Sequence, residues 1–286
     1  MKNWKHALIS GAGSGLGFGI ALRLLRRGSR VSILDLELDP DRLEQLDNAV
    51  RGGSGKWEFF PVDITRLERV QQAISAAVDT FGAPDLAINC AGILVNRAFT
   101  DLEPEDFHRV VEVNLNGSFH FAHAVVPFLQ PGTRLALIAS LAGLTSNYGY
   151  AAYGASKFGV VGLATTLRFE LLPLGIHVSC ICPAEVRTPM VARERQDAHP
   201  LSLELRKVAG SLDVDTACDQ ILAGLDAGKW MIIPGKRAKL VAYFSRALPG
   251  TFFCTCSILL RRALTRAGHI QSTETKTPAG SGREYS

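Results

Sequence analysis

The feature that most limits how this chain can fold is a rhythm. Short β-branched and aliphatic runs alternate with longer segments of helical period, and the first run leads directly into a glycine cluster. The pattern predicts strands over 6–10, 30–34, 57–62, 86–89, 134–139, 177–181 and 231–233. Helices are expected over 16–27, 40–51, 67–81, 104–115, 119–129, 153–172 and 215–227. Near-continuous apolar strands separated by amphipathic helices suit a parallel sheet covered on both faces. Pro40 and Pro104 fall where a first-turn proline is tolerated, and Thr65 is expected to cap the helix that follows it. The expectation is an α/β protein: one doubly wound domain over 1–235, with about seven mostly parallel strands.

Two stretches depart from the rhythm. Residues 187–210 are charged, helical in period and strandless, as in an insertion that lies over one edge of the sheet as a lid. Residues 236–270 are basic and apolar, and 271–286 are polar with Pro and Gly, the composition of an unstructured tail. Between Lys229 and Thr273 stand eight Lys or Arg and no acid, so a net charge of +4 hides a remainder near −4. No nucleic-acid-reading motif accompanies these cations. Two readings of the extension stay open. It packs on the core or a partner subunit, or it lies in a membrane interface, with Phe252, Phe253, Ile258, Leu259 and Leu260 in lipid and Arg261, Arg262 and Arg266 at headgroups. The uncharged run between Arg246 and Arg261 is too short to span a bilayer, and the N-terminus lacks signal-peptide features, so a cytoplasmic setting is expected. The six cysteines form no CxxC pair and have no histidine at zinc-ligand spacing, so no metal site is expected. Cys180 and Cys182 read as small apolar strand residues.

The glycine cluster is Gly11-Ala12-Gly13-Ser14-Gly15-Leu16-Gly17. Between a strand and a helix, such glycines let the backbone turn tightly and bring a helix N-terminus up to a pyrophosphate. Asp35 ends the next strand, where a carboxylate accepts from the hydroxyls of an adenosine ribose and repels a 2′-phosphate, which favours NAD over NADP. Further along, Tyr153 and Lys157 stand four apart and share a helix face. A phenol with a pKa near about 10 is a poor base at neutral pH, and a nearby ammonium favours its phenolate. Ser140 ends a strand at the carboxyl edge of the sheet, where open α/β folds bind ligands. Asn89-Cys90-Ala91-Gly92 ends another strand at the same edge, and Asn114 places an amide in an apolar helix.

In order and spacing these residues resemble the short-chain dehydrogenase/reductase family over roughly 5–235. The resemblance implies a Rossmann-like fold and an enzyme that moves a hydride between NAD and a secondary alcohol or ketone. It implies Tyr153 as general acid/base, Lys157 as partner of the nicotinamide ribose, and Ser140 as the group that orients the substrate oxygen. Asn114 would hold a water that links the lysine to solvent. The cofactor set would be Gly11, Ser14, Gly15, Leu16, Gly17, Asp35, Asp63 and Ile64, then Asn89, Ala91, Gly92, Tyr153, Lys157, Pro183, Val186 and Thr188. The cleft would be lined by Leu94, Leu141, Leu144, Tyr148 and Met190, apolar enough for a lipophilic substrate. The helices over 116–129 and 153–172 would make a homodimer or homotetramer. Two positions differ from the family pattern: Cys90 replaces an asparagine, and Ala184 replaces the glycine after Pro183. The rival readings are an NADPH-dependent carbonyl reductase, which Asp35 opposes, a nucleotide-sugar epimerase of different glycine spacing, and a non-catalytic NAD sensor.

Overall fold

The computed structural model describes residues 2–197 and 199–266. In chain order the elements are β1 (His6–Ser10), α1 (Gly15–Arg26), β2 (Arg30–Asp35), α2 (Pro40–Val50), β3 (Lys56–Pro61), α3 (Leu67–Phe81) and β4 (Leu86–Asn89). There follow α4 (Pro104–Val111), α5 (Gly117–Val125), β5 (Arg134–Ile138), α6 (Ala142–Thr145), α7 (Ala151–Glu170) and β6 (His177–Ile181). The chain ends with β7 (Glu185–Val186), α8 (Pro189–Asp197), α9 (Pro200–Ala209), β8 (Ser211–Leu212), α10 (Val214–Asp226), β9 (Met231–Ile232), α11 (Lys236–Ala247) and α12 (Pro249–Arg266).

Seven strands make one sheet in the order β3-β2-β1-β4-β5-β6-β9, and every pairing is parallel. Central strands β1, β4 and β5 are buried at every residue, which explains their unbroken apolar runs. One core layer packs Leu24, Leu25, Ile221 and Leu222 of α1 and α10 on the sheet. The other packs Val70, Ile74, Phe121 and Val160 of α3, α5 and α7 on its opposite face. The order of connection reverses between β1 and β4, and a crevice opens outside the carboxyl ends of strands at such a point. The glycine loop leaves β1 and the Asn89 turn leaves β4 at that edge.

Two local expectations change. Thr65 does not cap α3; Arg66 holds that position, and Asp63 Oδ1 instead accepts from the Thr65 amide at 2.9 Å and its hydroxyl at 2.8 Å. A carboxylate two residues back competes for the threonine that would otherwise cap. The helix expected to end at 115 continues through a π turn over Glu112–Asn116 into α5, so it has no break at Asn114. The expected insertion over 187–210 holds two helices, and its ends are tied by a short parallel pair, β7 with β8. The tail over 271–286 and the last residues of the extension, 267–270, lie outside the described residues. No described helix is long and apolar enough to cross a membrane.

Candidate active site

A cavity of about 1050 Å³ runs from the glycine loop, past Tyr153, to α9, α11 and α12. At its inner end Gly11 adopts φ +64°, and a Cβ there would stand 2.4 Å from the Ala91 amide nitrogen. At Gly17 a Cβ would stand 2.2 Å from the Gly11 carbonyl oxygen. The loop is thus pressed against its neighbours in a way that only glycine permits. Asp35 Oδ2 accepts from the Gly13 amide at 2.7 Å and Oδ1 from the Leu36 amide at 2.8 Å, fixing the carboxylate beside the loop. Ser14, at the N-cap of α1, makes no side-chain capping bond. The first amides of α1 therefore face the cavity with their donor capacity unused by a cap, a setting that suits an anion. These residues fit a dinucleotide: a pyrophosphate at α1 and a ribose at Asp35. Asp63, Ile64, Ala91, Gly92, Pro183, Val186 and Thr188 line the same cavity.

The chemistry-bearing residues meet further along. Tyr153 is half-buried in the cavity wall, its hydroxyl facing that of Ser140. Ser140 Oγ is itself held by the Ala142 amide at 3.1 Å. Lys157, one turn along α7, places Nζ 5.8 Å from the centre of the Tyr153 ring and donates to the Ile138 carbonyl at 3.0 Å. Burial pushes the Lys157 ammonium down from its ordinary 10.5 to about 8. Burial also pushes the Tyr153 phenol up, while the Ser140 hydrogen bond and the charge of Arg206 pull it back. Asn114 donates to the Ile93 carbonyl (2.9 Å) and Ser156 Oγ (3.0 Å), and accepts from the Ile93 amide (2.8 Å). One acceptor position of Oδ1 remains. A Cβ at Gly92 would stand 3.1 Å from Asn114 Oδ1 and 3.3 Å from Lys157 Nζ, so both polar atoms converge on one point.

Three expected site residues do not line the cavity. Asn114 reaches it only through this convergence, and Asn89 spends its amide on Ser10, Ser118 and the Ala91 amide. Leu144 is not in the cleft, because the single turn of α6 directs it into the core, where it packs with Leu141 and Ala238. Leu94, Leu141, Tyr148 and Met190 do line the cavity.

The sequence reading missed Arg206. Its buried guanidinium donates to Glu185 Oε2 at 3.1 Å and Glu194 Oε2 at 2.8 Å, with a further bond to Glu194 Oε1. It lies over the Tyr150 ring, 5.2 Å from the centre, and Tyr150 meets Tyr153 edge-on at 5.2 Å. Asn96 joins the cluster by donating to Glu194 Oε1 at 2.6 Å. Nothing in the local sequence marks these residues, which come together from positions 96 to 206.

The short chain dehydrogenase family model matches residues 5–199, which include the loop, Asp35, Ser140, Tyr153 and Lys157. The chain belongs to the short-chain dehydrogenase family. It is an oxidoreductase of the CH–OH class, and members of this family use a nicotinamide cofactor. A trans-4-hydroxycyclohexanecarboxylate dehydrogenase of Sinomonas cyclohexanicum is 37% identical over 66% of this chain and 74% of its own. A 3-dehydrosphinganine reductase of Arabidopsis thaliana is 30% identical over 80% of this chain and 69% of its own. Among solved structures, a levodione reductase superimposes with a TM-score of 0.70 at 25% identity, covering 80% of this chain and 95% of that one. In this short-chain dehydrogenase the cavity beyond Tyr153 is walled by α9, α11 and α12, which extend past the matched residues.

Proposed function

We propose that the protein is an NAD-dependent oxidoreductase that interconverts a lipophilic secondary alcohol and its ketone. The observation that carries this reading is one continuous cavity, with the glycine loop and Asp35 at one end and the Ser140–Tyr153–Lys157 set in its wall. A nicotinamide dinucleotide held by the glycine loop and Asp35 would supply the acceptor or donor for the hydride of the carbinol carbon. The chain handles the proton. Tyr153 accepts it from the alcohol oxygen, or gives it to the ketone oxygen. Ser140 donates its single hydroxyl hydrogen to that oxygen and holds it beside the phenol. Lys157, desolvated and close to the ring, favours the phenolate whenever it is protonated. Asn114 and Lys157 converge beside Gly92, and this is the exit by which the proton leaves the buried site.

Asp35 supports NAD as the cofactor, because its carboxylate is fixed by two amides at the ribose position and would repel a 2′-phosphate. The relatives named above are a dehydrogenase and a reductase, in keeping with one reaction run in either direction. The lining of Leu94, Leu141 and Met190 supports a lipophilic substrate. Phe119 of α5 and Phe158 and Phe169 of α7 are exposed, which supports pairing of subunits through these helices.

NADH fluorescence during turnover of a panel of lipophilic secondary alcohols tests the reading. NADH should form with the wild type, and Tyr153→Phe should lower kcat by roughly 10²–10⁴-fold, the range of general acid–base catalysis. Undiminished turnover in that variant would remove Tyr153 from the mechanism.

A further inference from the structure

Helices α11 and α12 return over the mouth of the cavity. Arg237 of α11 lines it at one edge, and the apolar lining residues Leu240, Val241 and Phe244, with Leu248 at the helix's C-cap, recur along one stripe. On α12, Phe252, Cys256 and Leu259 do the same at i, i+4 and i+7. Such stripes ordinarily close against a core. Here they border open space: Leu240 is 57% exposed, Phe244 48%, Leu248 51% and Leu259 36%. None of residues 249–265 is buried, although α12 is an 18-residue helix about 27 Å long. Val208 of α9 completes the apolar wall.

Charge distinguishes the outer side of the same helices. Lys236, Lys239, Arg246, Arg261 and Arg262 are exposed, and none forms an ion pair with a described residue. No Asp or Glu occurs from 227 to 273, while the rest of the chain is net acidic. Ile258 is exposed on α12, the helix that carries Arg261 and Arg262, and Phe253 stands exposed where α12 borders the cavity. An apolar helix with unopposed cations matches an anionic lipid surface, where aromatics enter the acyl boundary and cations meet headgroups.

We propose that α9, α11 and α12 form a hydrocarbon groove opening on an anionic membrane surface, and that the substrate is a secondary alcohol or ketone whose long aliphatic chain lies in that groove. The proposal rests on the alcohol–ketone reading above and adds to it the length of the substrate and its source. The carbinol end reaches Tyr153 and Ser140. The chain runs outward between Phe244, Leu248 and Leu259 to the lipid surface.

Two measurements on the full chain test it. In the first, kcat/KM with NAD is followed from 2-hexanol to 2-dodecanol. It should rise by about fourfold for each methylene that enters the groove. The Phe244→Asn, Leu248→Asn double variant, shown to be folded by circular dichroism, should flatten that rise. The same series is read without turnover, as the gain in Tm of the NAD-loaded protein with 2-dodecanone over 2-hexanone. In the second, co-sedimentation should favour phosphatidylglycerol vesicles over pure phosphatidylcholine, weaken in 0.5 M salt, and be lost in the Lys239→Glu, Arg246→Glu, Arg261→Glu, Arg262→Glu variant. Turnover with a flat chain-length profile would leave the enzyme reading standing and overturn the groove. Equal binding to both vesicle types, or burial of α12 in a dimer seen by light scattering and lost with Leu259→Glu, would overturn the membrane surface. Chain-length-dependent Tm gains without turnover of any alcohol would support the groove and count against the alcohol–ketone reading instead.

Discussion

The two ends of the cavity are built on opposite principles. Around the glycine loop, backbone meets backbone: a Cβ at Gly11 or Gly17 would collide with main-chain atoms, and the flanking strand β1 is wholly buried. Around α9, α11 and α12, side chains meet open space, and the polar anchor is a buried ion cluster rather than a ladder of strands. The first end admits one ligand shape. The second end tolerates variation in its lining, and it leans on Arg206 to stay attached.

That contrast is sharpest at Arg206. Arg206→Met leaves Glu185 and Glu194 without their shared guanidinium, and breaking a buried pair of this kind costs roughly 3–5 kcal/mol. Denaturant unfolding should show the loss, and hydrogen exchange should place it in α8 and α9 rather than in β1 or β4. The Arg206 charge also favours the Tyr153 phenolate. Its removal raises the phenol pKa, so the alkaline rise of alcohol oxidation should move to higher pH.

Burial gives the next comparison. Leu24→Ala, fully buried against the sheet, should cost roughly 2–5 kcal/mol. Leu259→Ala on α12 should stay within about 0.5 kcal/mol. Equal losses at both positions would mean that α12 is covered by something and would erase the difference between the two ends. Asp35→Ser probes the rigid end more gently. Losing charge-assisted hydrogen bonds of roughly 1.5–3 kcal/mol should raise KM for NAD by about tenfold to a hundredfold, with KM for NADP falling.

The rigid end should also show a pH dependence of stability. In the folded chain Lys157 holds its proton only up to about 8, against 10.5 when it is exposed. Between those values the unfolded chain binds more protons, so this residue's contribution to stability rises as pH climbs from about 8 to 10.5 and is flat outside that window. Lys157→Met should therefore raise Tm of the cofactor-free protein below pH 8, and the gain should fade by about pH 10.5.

The rigid end was the more legible in sequence for the same physical reason that makes it rigid. The glycine spacing, the unbroken strands, Asp35 and the Tyr153–Lys157 interval are consequences of local backbone geometry, and local geometry leaves a periodic trace. The other end is assembled by contacts between distant segments. Arg206 pairs with Glu194 twelve residues away and with Glu185 twenty-one away, and it covers a ring at 150. No period connects those positions. The misplacement of Leu144 has a similar origin, since a helix of four residues is too short for its face to be read from spacing. The start of α3 at Leu67 was legible, but its cap was not, because the Asp63 carboxylate had claimed Thr65.

The π turn over Glu112–Asn116 has a consequence for how the chain can change in length. A π turn carries one residue more than the α turn it replaces, and that excess is absorbed locally. Deleting a single residue there would let α4 run into α5 as ordinary helix, with the core contacts of Val110 and Phe121 still in phase. The amide of Asn114, however, would no longer face Ile93 and Ser156. Position 112–116 is thus a place where the loss of one codon spares the fold and removes part of the site, so a shortened relative could keep its shape while abandoning its chemistry.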